Sequence, residues 1–154
     1  MKTFDGAQAS GEVDIVLWDK DFSVKEERHV KNLLVATGLA FMISRMKDTS
    51  KAVMSHMGVG AGATAPAADQ TGLISALGAR VSLTATTIAG TNNEKIVYTA
   101  TFGAGISTGA ITEAGIFNAL TGGDMLNRVV FAVVNKGADD TLGVTWTVTQ
   151  NASA

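Results

Sequence analysis

The segment Leu142-Gly143-Val144-Thr145-Trp146-Thr147-Val148-Thr149 alternates apolar side chains with threonines near the end of the chain. Successive side chains of an extended backbone point to opposite faces, so Leu142, Val144, Trp146 and Val148 share one face and Thr145, Thr147 and Thr149 the other. A strand with an apolar inner face and a hydroxylated outer face follows. The rest of this half has the same character: residues 81–154 hold 3 basic side chains (Lys95, Arg128, Lys136), 5 acidic ones and 13 of the 18 threonines. Few charges, many β-branched residues and glycine-bearing turns suit short paired strands.

Two hairpins are expected there. Residues 81–88 and 95–102 pair antiparallel around the polar loop 89–94, and residues 111–119 and 125–134 pair around Thr121-Gly122-Gly123-Asp124, whose glycines supply the backbone freedom of a turn. Residues 129–134, Val-Val-Phe-Ala-Val-Val, are apolar on both faces. A strand of that kind belongs in a sandwich core or against another subunit.

In the first half, residues 12–18 and 24–35 read as a third hairpin turning at Asp19-Lys20-Asp21. Trp18 and Phe22 flank that turn, either as cover for the core edge or as anchors for a partner. From 37 to 47, Leu39, Met42, Ile43 and Met46 fall at i, i+3, i+4 and i+7, with Arg45 and Lys47 in the last turn; this predicts one helix, its apolar stripe in the core. Met42, Met46, Met54 and Met57 read as core filler. The expected fold is mainly β, an antiparallel β-sandwich of jelly-roll-like type with one short α-helix near residues 37–47. Residues 1–11 form a flexible N-terminal arm with Phe4 as its apolar anchor, residues 12–150 one sandwich domain and residues 151–154 a C-terminal tail.

At 154 residues the chain is long enough to bury roughly 70% of its unfolded surface without a disulfide or metal. With no cysteine it lacks thiolate nucleophiles, thiolate metal sites and cross-links. A net charge of −2 with no basic cluster argues against nucleic acid as partner. The N-terminus shows no apolar signal-peptide core, and the longest uncharged apolar-rich stretch, residues 32–44, has 13 residues where a membrane span needs about 20.

Candidate chemistry is sparse. Gly58-Val59-Gly60-Ala61-Gly62 has closely spaced glycines of the kind that let backbone N–H groups approach an anion, but it lacks the Lys-Ser/Thr of a phosphate loop and the third glycine and helix of a dinucleotide fingerprint. It reads as a flexible crossing into a Gly/Ala-rich loop, one long enough to suggest a function. Ser55 beside His56 is the one nucleophile–base arrangement available, and His29 sits among charges on a solvated strand face. Glu113 stands alone in the apolar run 111–117 and must find a partner; Arg128 or Lys136 is available for an ion pair within the sheet or between subunits. Asp124 and Asp139-Asp140 lack calcium-loop spacing and read as turn residues. No catalytic residue, metal or cofactor follows from these residues, and the chain is expected not to be an enzyme.

The order of blocks goes further. Residues 29–39 (HVKNLLVATGL), 54–66 (MSHMGVGAGATAP), 113–118 (EAGIFN), 125–128 (MLNR) and 134–137 (VNKG), followed by the closing strand, resemble a family of small structural proteins of tailed bacteriophages, over about residues 12–150. The resemblance implies a non-enzymatic virion part made in the host bacterial cytoplasm. The first implied role is a capsid decoration (cement) protein on the outside of the major capsid protein shell, self-associated as a dimer or trimer. The alternative is a tail fibre, baseplate or receptor-binding component that touches a cell-surface glycan through loop 58–69 and the threonine faces. A rigid, charge-poor domain desolvates cheaply on packing, which suits either role. The interface candidates are Phe4, Trp18, Phe22, Glu113, Arg128, Val130 and Phe131.

Overall fold

A computed structural model describes residues 8–151. Nine strands and one helix follow in the order β1 (Gln8–Trp18), β2 (Val24–Leu34), α1 (Ala36–Lys47), β3 (His56–Gly60), β4 (Val81–Ser82), β5 (Ala85–Ala89), β6 (Lys95–Phe102), β7 (Gly109–Phe117), β8 (Met125–Lys136) and β9 (Thr141–Asn151). The mainly β class and the single helix agree with the sequence. The strands form one antiparallel sheet in the order β4-β3-β7-β8-β2-β1-β9-β6-β5, curled into a half-barrel and not clearly divided into the two sheets of a sandwich. The reason lies in β2, which pairs with β1 along most of its length and then continues, through Leu33 and Leu34, into pairing with Arg128 and Asn127 of β8. That two-residue junction joins what would otherwise be two sheets.

The expected period-2 faces supply one core. Val13, Ile15 and Leu17 of β1, Tyr98 and Phe102 of β6, and Leu142, Val144, Trp146 and Val148 of β9 pack in the same cluster as Met57, Ile111, Ile116, Leu126 and Val129 from the other wing. Trp146 is fully buried and its Nε1 donates to Asn32 Oδ1 at 3.0 Å, which spares the indole the cost of an unpaired donor. All three expected hairpins form, and Gly122 and Gly123 adopt positive φ in the turn between β7 and β8.

Several expectations are corrected. The run 81–88 is two strands, because the chain changes wings there: the Leu83 N–H donates to Ser55 O beside β3, while the next, Thr84, donates to Thr99 O in β6. Of the expected arm 1–11, residues 8–11 are part of β1 and pair with residues 148–151 of β9; Phe4 lies outside the described residues. Residues 129–134 are not covered on both faces: Val129, Phe131 and Val134 are buried, Val130 is half-buried, and Ala132 and Val133 are exposed. The register against β7 slips there, with Ile111 opposite Val134 but Glu113 opposite Val130. The slipped stretch shifts the alternation and leaves the Ala132 and Val133 carbonyls outside the ladder, where Arg28 of β2 donates to both, at 3.2 and 2.7 Å.

The helix is rotated relative to its apolar stripe. Its buried residues are Gly38 and Phe41, while Leu39 is exposed, Ile43 is 67% exposed and Met46 84%. Met42 is half-buried against the core, and Met54 and Met57 are buried, so Met46 is the methionine that leaves the core. Gly38 explains the rotation. It lies so close to the backbone of Leu126 in β8 that a Cβ would overlap the Leu126 carbonyl. Gly38, Phe41 and Met42, at i, i+3 and i+4, therefore face the sheet, and the larger stripe points away.

Gly38→Ala is expected to destabilise the protein by about 1–3 kcal/mol through forced separation of α1 from β8. Gly72→Ala, where a Cβ would meet open space, is expected to stay within about 0.5 kcal/mol of the parent. Urea denaturation midpoints compare the two; equal effects would show that the Gly38 contact does not position the helix.

Candidate functional site

The densest polar arrangement lies under the long loop between β3 and β4. Glu113 on β7 and Arg128 on β8 are both inaccessible to solvent, and their strands are neighbours, with Gly115 opposite Arg128 and Val130 opposite Glu113. The diagonal offset brings the side chains together: Arg128 Nε donates to Glu113 Oε2 at 2.8 Å. Its Nη2 sits equally close to the same oxygen but without an angle that makes a hydrogen bond.

Loop backbone completes the carboxylate's shell. Glu113 Oε1 accepts from the Gly62 N–H at 3.0 Å and the Ser75 N–H at 2.7 Å, and Oε2 accepts from Ile74 N–H at 3.1 Å. Arg128 Nη1 donates to Thr64 O and to Gln70 Oε1, each at 2.9 Å. Gln70 in turn accepts from the Ala67 N–H and donates to Ala65 O. Gly60 and Gly62 are required here by contact, since a Cβ on either would run into the Glu113 carboxylate. The glycine-rich stretch is thus an anion cradle, and its anion is a side chain of the same protein. Arg80 closes the far end of the loop, 3.4 Å above the Phe117 ring and donating to Ala119 O and Gly122 O.

Burial by itself pushes the Glu113 carboxyl up, but the Ser75 and Ile74 amides and the Arg128 guanidinium outweigh it and hold the group below its ordinary value. Of the two partners available to Glu113, Arg128 takes the role. Lys136 is buried elsewhere, donating to Gly103 O at 2.8 Å, and burial lowers its pKa.

The remaining candidates do not converge on this centre. Ser55 Oγ and His56 Nδ1 are 2.8 Å apart, and among the described residues no carboxylate is bonded to that ring to orient it. His29 pairs with Asp14 at 2.6 Å on an exposed face, and that hydrogen bond raises the imidazole's pKa. Trp18 is half-buried, with its ring over Gly143, whereas Phe22 is 75% exposed at positive φ on the turn. Val130 is half-buried and Phe131 buried, so only the first of these two has part of its surface available to a partner. Among the described residues no three His, Asp or Glu side chains gather as metal ligands, and no helix is long and apolar enough to cross a membrane.

This geometry is structural chemistry. Both charges are enclosed and committed to internal partners, so the pair fixes the loop and offers no free group to a substrate. Sequence reasoning missed the cradle because no single residue announces it. The signal was a lone acid in one apolar strand, a lone arginine in the next and a glycine cluster elsewhere, and their convergence needs the fold.

Glu113→Gln is expected to cost about 3–5 kcal/mol, because it leaves Arg128 buried without its counter-charge; Glu113→Leu combined with Arg128→Met should cost less than Glu113→Gln alone. Chemical denaturation of the three proteins checks the order, and a double variant less stable than the single one would contradict it. Because the folded-state pKa of Glu113 is lowered, its contribution is fully present above the unfolded-state value of about 4.3 and is lost as pH falls through the folded value. Acid titration should therefore show a loss of stability below about pH 4 that is shallower in Glu113→Gln; parallel curves would contradict the assignment.

Compared with known proteins, the chain matches no family model, no curated protein and no solved structure.

Proposed function

We propose that this protein is a non-enzymatic virion component that works through protein–protein contact, as a decoration (cement) protein on the outside of a major capsid protein shell. One observation carries the reading. The body is rigidly braced inside, yet α1 turns Leu39, Ile43 and Met46 outward, an apolar stripe that a lone domain gains nothing by exposing. Burial of such side chains against a shell supplies binding free energy without any reaction.

The proposal also takes up the block order from which a phage structural family is expected. On it, residues 54–66, 113–118 and 125–128, which build β3, the cradle and the Glu113–Arg128 pair, serve to brace the scaffold. On this proposal the two wings of the sheet serve as the layers of a jelly-roll-like sandwich around their shared core. Val130 and the tip residues Trp18 and Phe22 border surfaces that meet capsid subunits or further copies of the chain. Glu113 and Arg128 act within one chain and Phe131 within its core.

Imaging of intact particles tests the proposal. Copies arrayed on the outer shell in the shell's own symmetry are expected. Copies confined to the tail would replace the reading by a tail component that touches a cell-surface glycan, and absence from the particle would end both. Purified protein carrying Ile43→Lys and Met46→Lys should bind shells at least ~10-fold more weakly, about 1.4 kcal/mol, with an unchanged melting temperature. Unaltered binding would remove the helix stripe from the interface.

A further inference from the structure

Among the described residues three strand edges stand out, at β4, β2 and β5, and two of them are blunted. β4 at one end is only Val81–Ser82. Where β2 parts from β8, the exposed side carries Lys25, Glu26, Glu27 and Arg28, and Arg28 itself donates to the carbonyls left open on β8. Charges and short length are the usual means of preventing a sheet from adding a foreign strand. The third edge, β5 (Ala85–Ala89), has neither. It ends the sheet beyond β6, and the chain from residue 81 to residue 93 contains no charged side chain and no proline.

The register of β5 says what fits there. Thr86 lies opposite Tyr98 and Ile88 opposite Ile96, so both point to the inner face of the sheet; Ile88 is nevertheless 66% exposed. Beside it runs an apolar groove between the sheet and α1, lined by Phe41, Val53, Met54, Thr86, Ile96 and Tyr98 with Arg45 as its single charge.

We propose that β5 is a homodimerisation edge: two copies of this chain pair their β5 strands antiparallel across a two-fold axis at Thr87. In that register Thr87 meets Thr87, Ala85 meets Ala89, and Ile88 of each copy lies opposite Thr86 of the other, at the rim of its groove. The match is self-complementary. No like charges oppose each other, the cross-strand Thr–Ile pairs are β-branched, and each exposed Ile88 gains apolar cover. A partner bearing charge would find one arginine to answer it, whereas a second copy needs none. The inference stands apart from the virion reading, since dimerisation through β5 and location in a particle are separately measurable.

Sedimentation velocity of the full chain over a concentration series should show a monomer–dimer equilibrium, with Ile88→Lys weakening the dimer at least ~10-fold at an unchanged melting temperature. Because the chain has no cysteine, Thr87→Cys reports the register directly. Directly opposed residues of an antiparallel pair have Cα atoms about 4.5–5.5 Å apart, within disulfide reach, so Thr87→Cys should form a covalent dimer under mild oxidation much faster than Ala85→Cys. A wild-type protein that stays monomeric, an Ile88→Lys variant that dimerises undiminished, or equal cross-linking at the two positions would each overturn the proposal.

Discussion

A carboxylate and a guanidinium with no access to water set the terms for the rest of this molecule. Removing two charges from solvent costs several kcal/mol per ion unless each finds good geometry and further hydrogen bonds. Glu113 is compensated by three loop amides and Arg128, and Arg128 by a loop carbonyl and the Gln70 side chain. Every one of the added partners belongs to residues 62–75. A loop of that length, rich in glycine and alanine, has little apolar surface with which to order itself. Its path is dictated by a charge pair on two neighbouring strands, and the same strands carry the centre of the core.

That dependence explains which parts of the fold were legible. The strand at 142–149 and the three hairpins were, because alternation and turn chemistry are local and the core rewards them directly. The face of α1 was not: its periodicity is genuine, but the orientation is decided by the contact of Gly38 with the Leu126 backbone, a constraint written in a residue that contributes nothing to hydropathy. Likewise 81–88 looked like one strand, since nothing local marks the point where Leu83 bonds to one wing and Thr84 to the other. That the two wings join as a single sheet follows from two residues of β2. In the candidate site, an ion pair of Glu113 with either Arg128 or Lys136 could be named from the sequence, whereas the choice between them and the cradle could not. The glycines read as a flexible crossing, and the anion that Gly62 meets lies 51 residues away in sequence, on β7.

The other buried charges are also committed internally, and this shapes the outside. Asp140 accepts from Lys25 Nζ at 2.7 Å and from the Gly137 N–H at 2.7 Å, bracing the β8–β9 turn, and Lys136 is tied to Gly103. Rigidity therefore comes from polar links between loops and strands as well as from the core. The end strand β5 exposes Ala85, Thr86, Thr87 and Ile88, and α1 adds its outward stripe. The loop already fixed inside would cost no further ordering entropy in any contact made by this body.

Native-state hydrogen exchange at the Gly62, Ile74 and Ser75 amides tests most directly whether the buried pair organises the loop. If it does, these three amides exchange only through the global opening that releases β7 and β8, with protection equal to that of the central ladder. Exchange as fast as that of the exposed 121–123 turn would show that the loop opens independently of the Glu113 carboxylate, and the account built on that pair would fail.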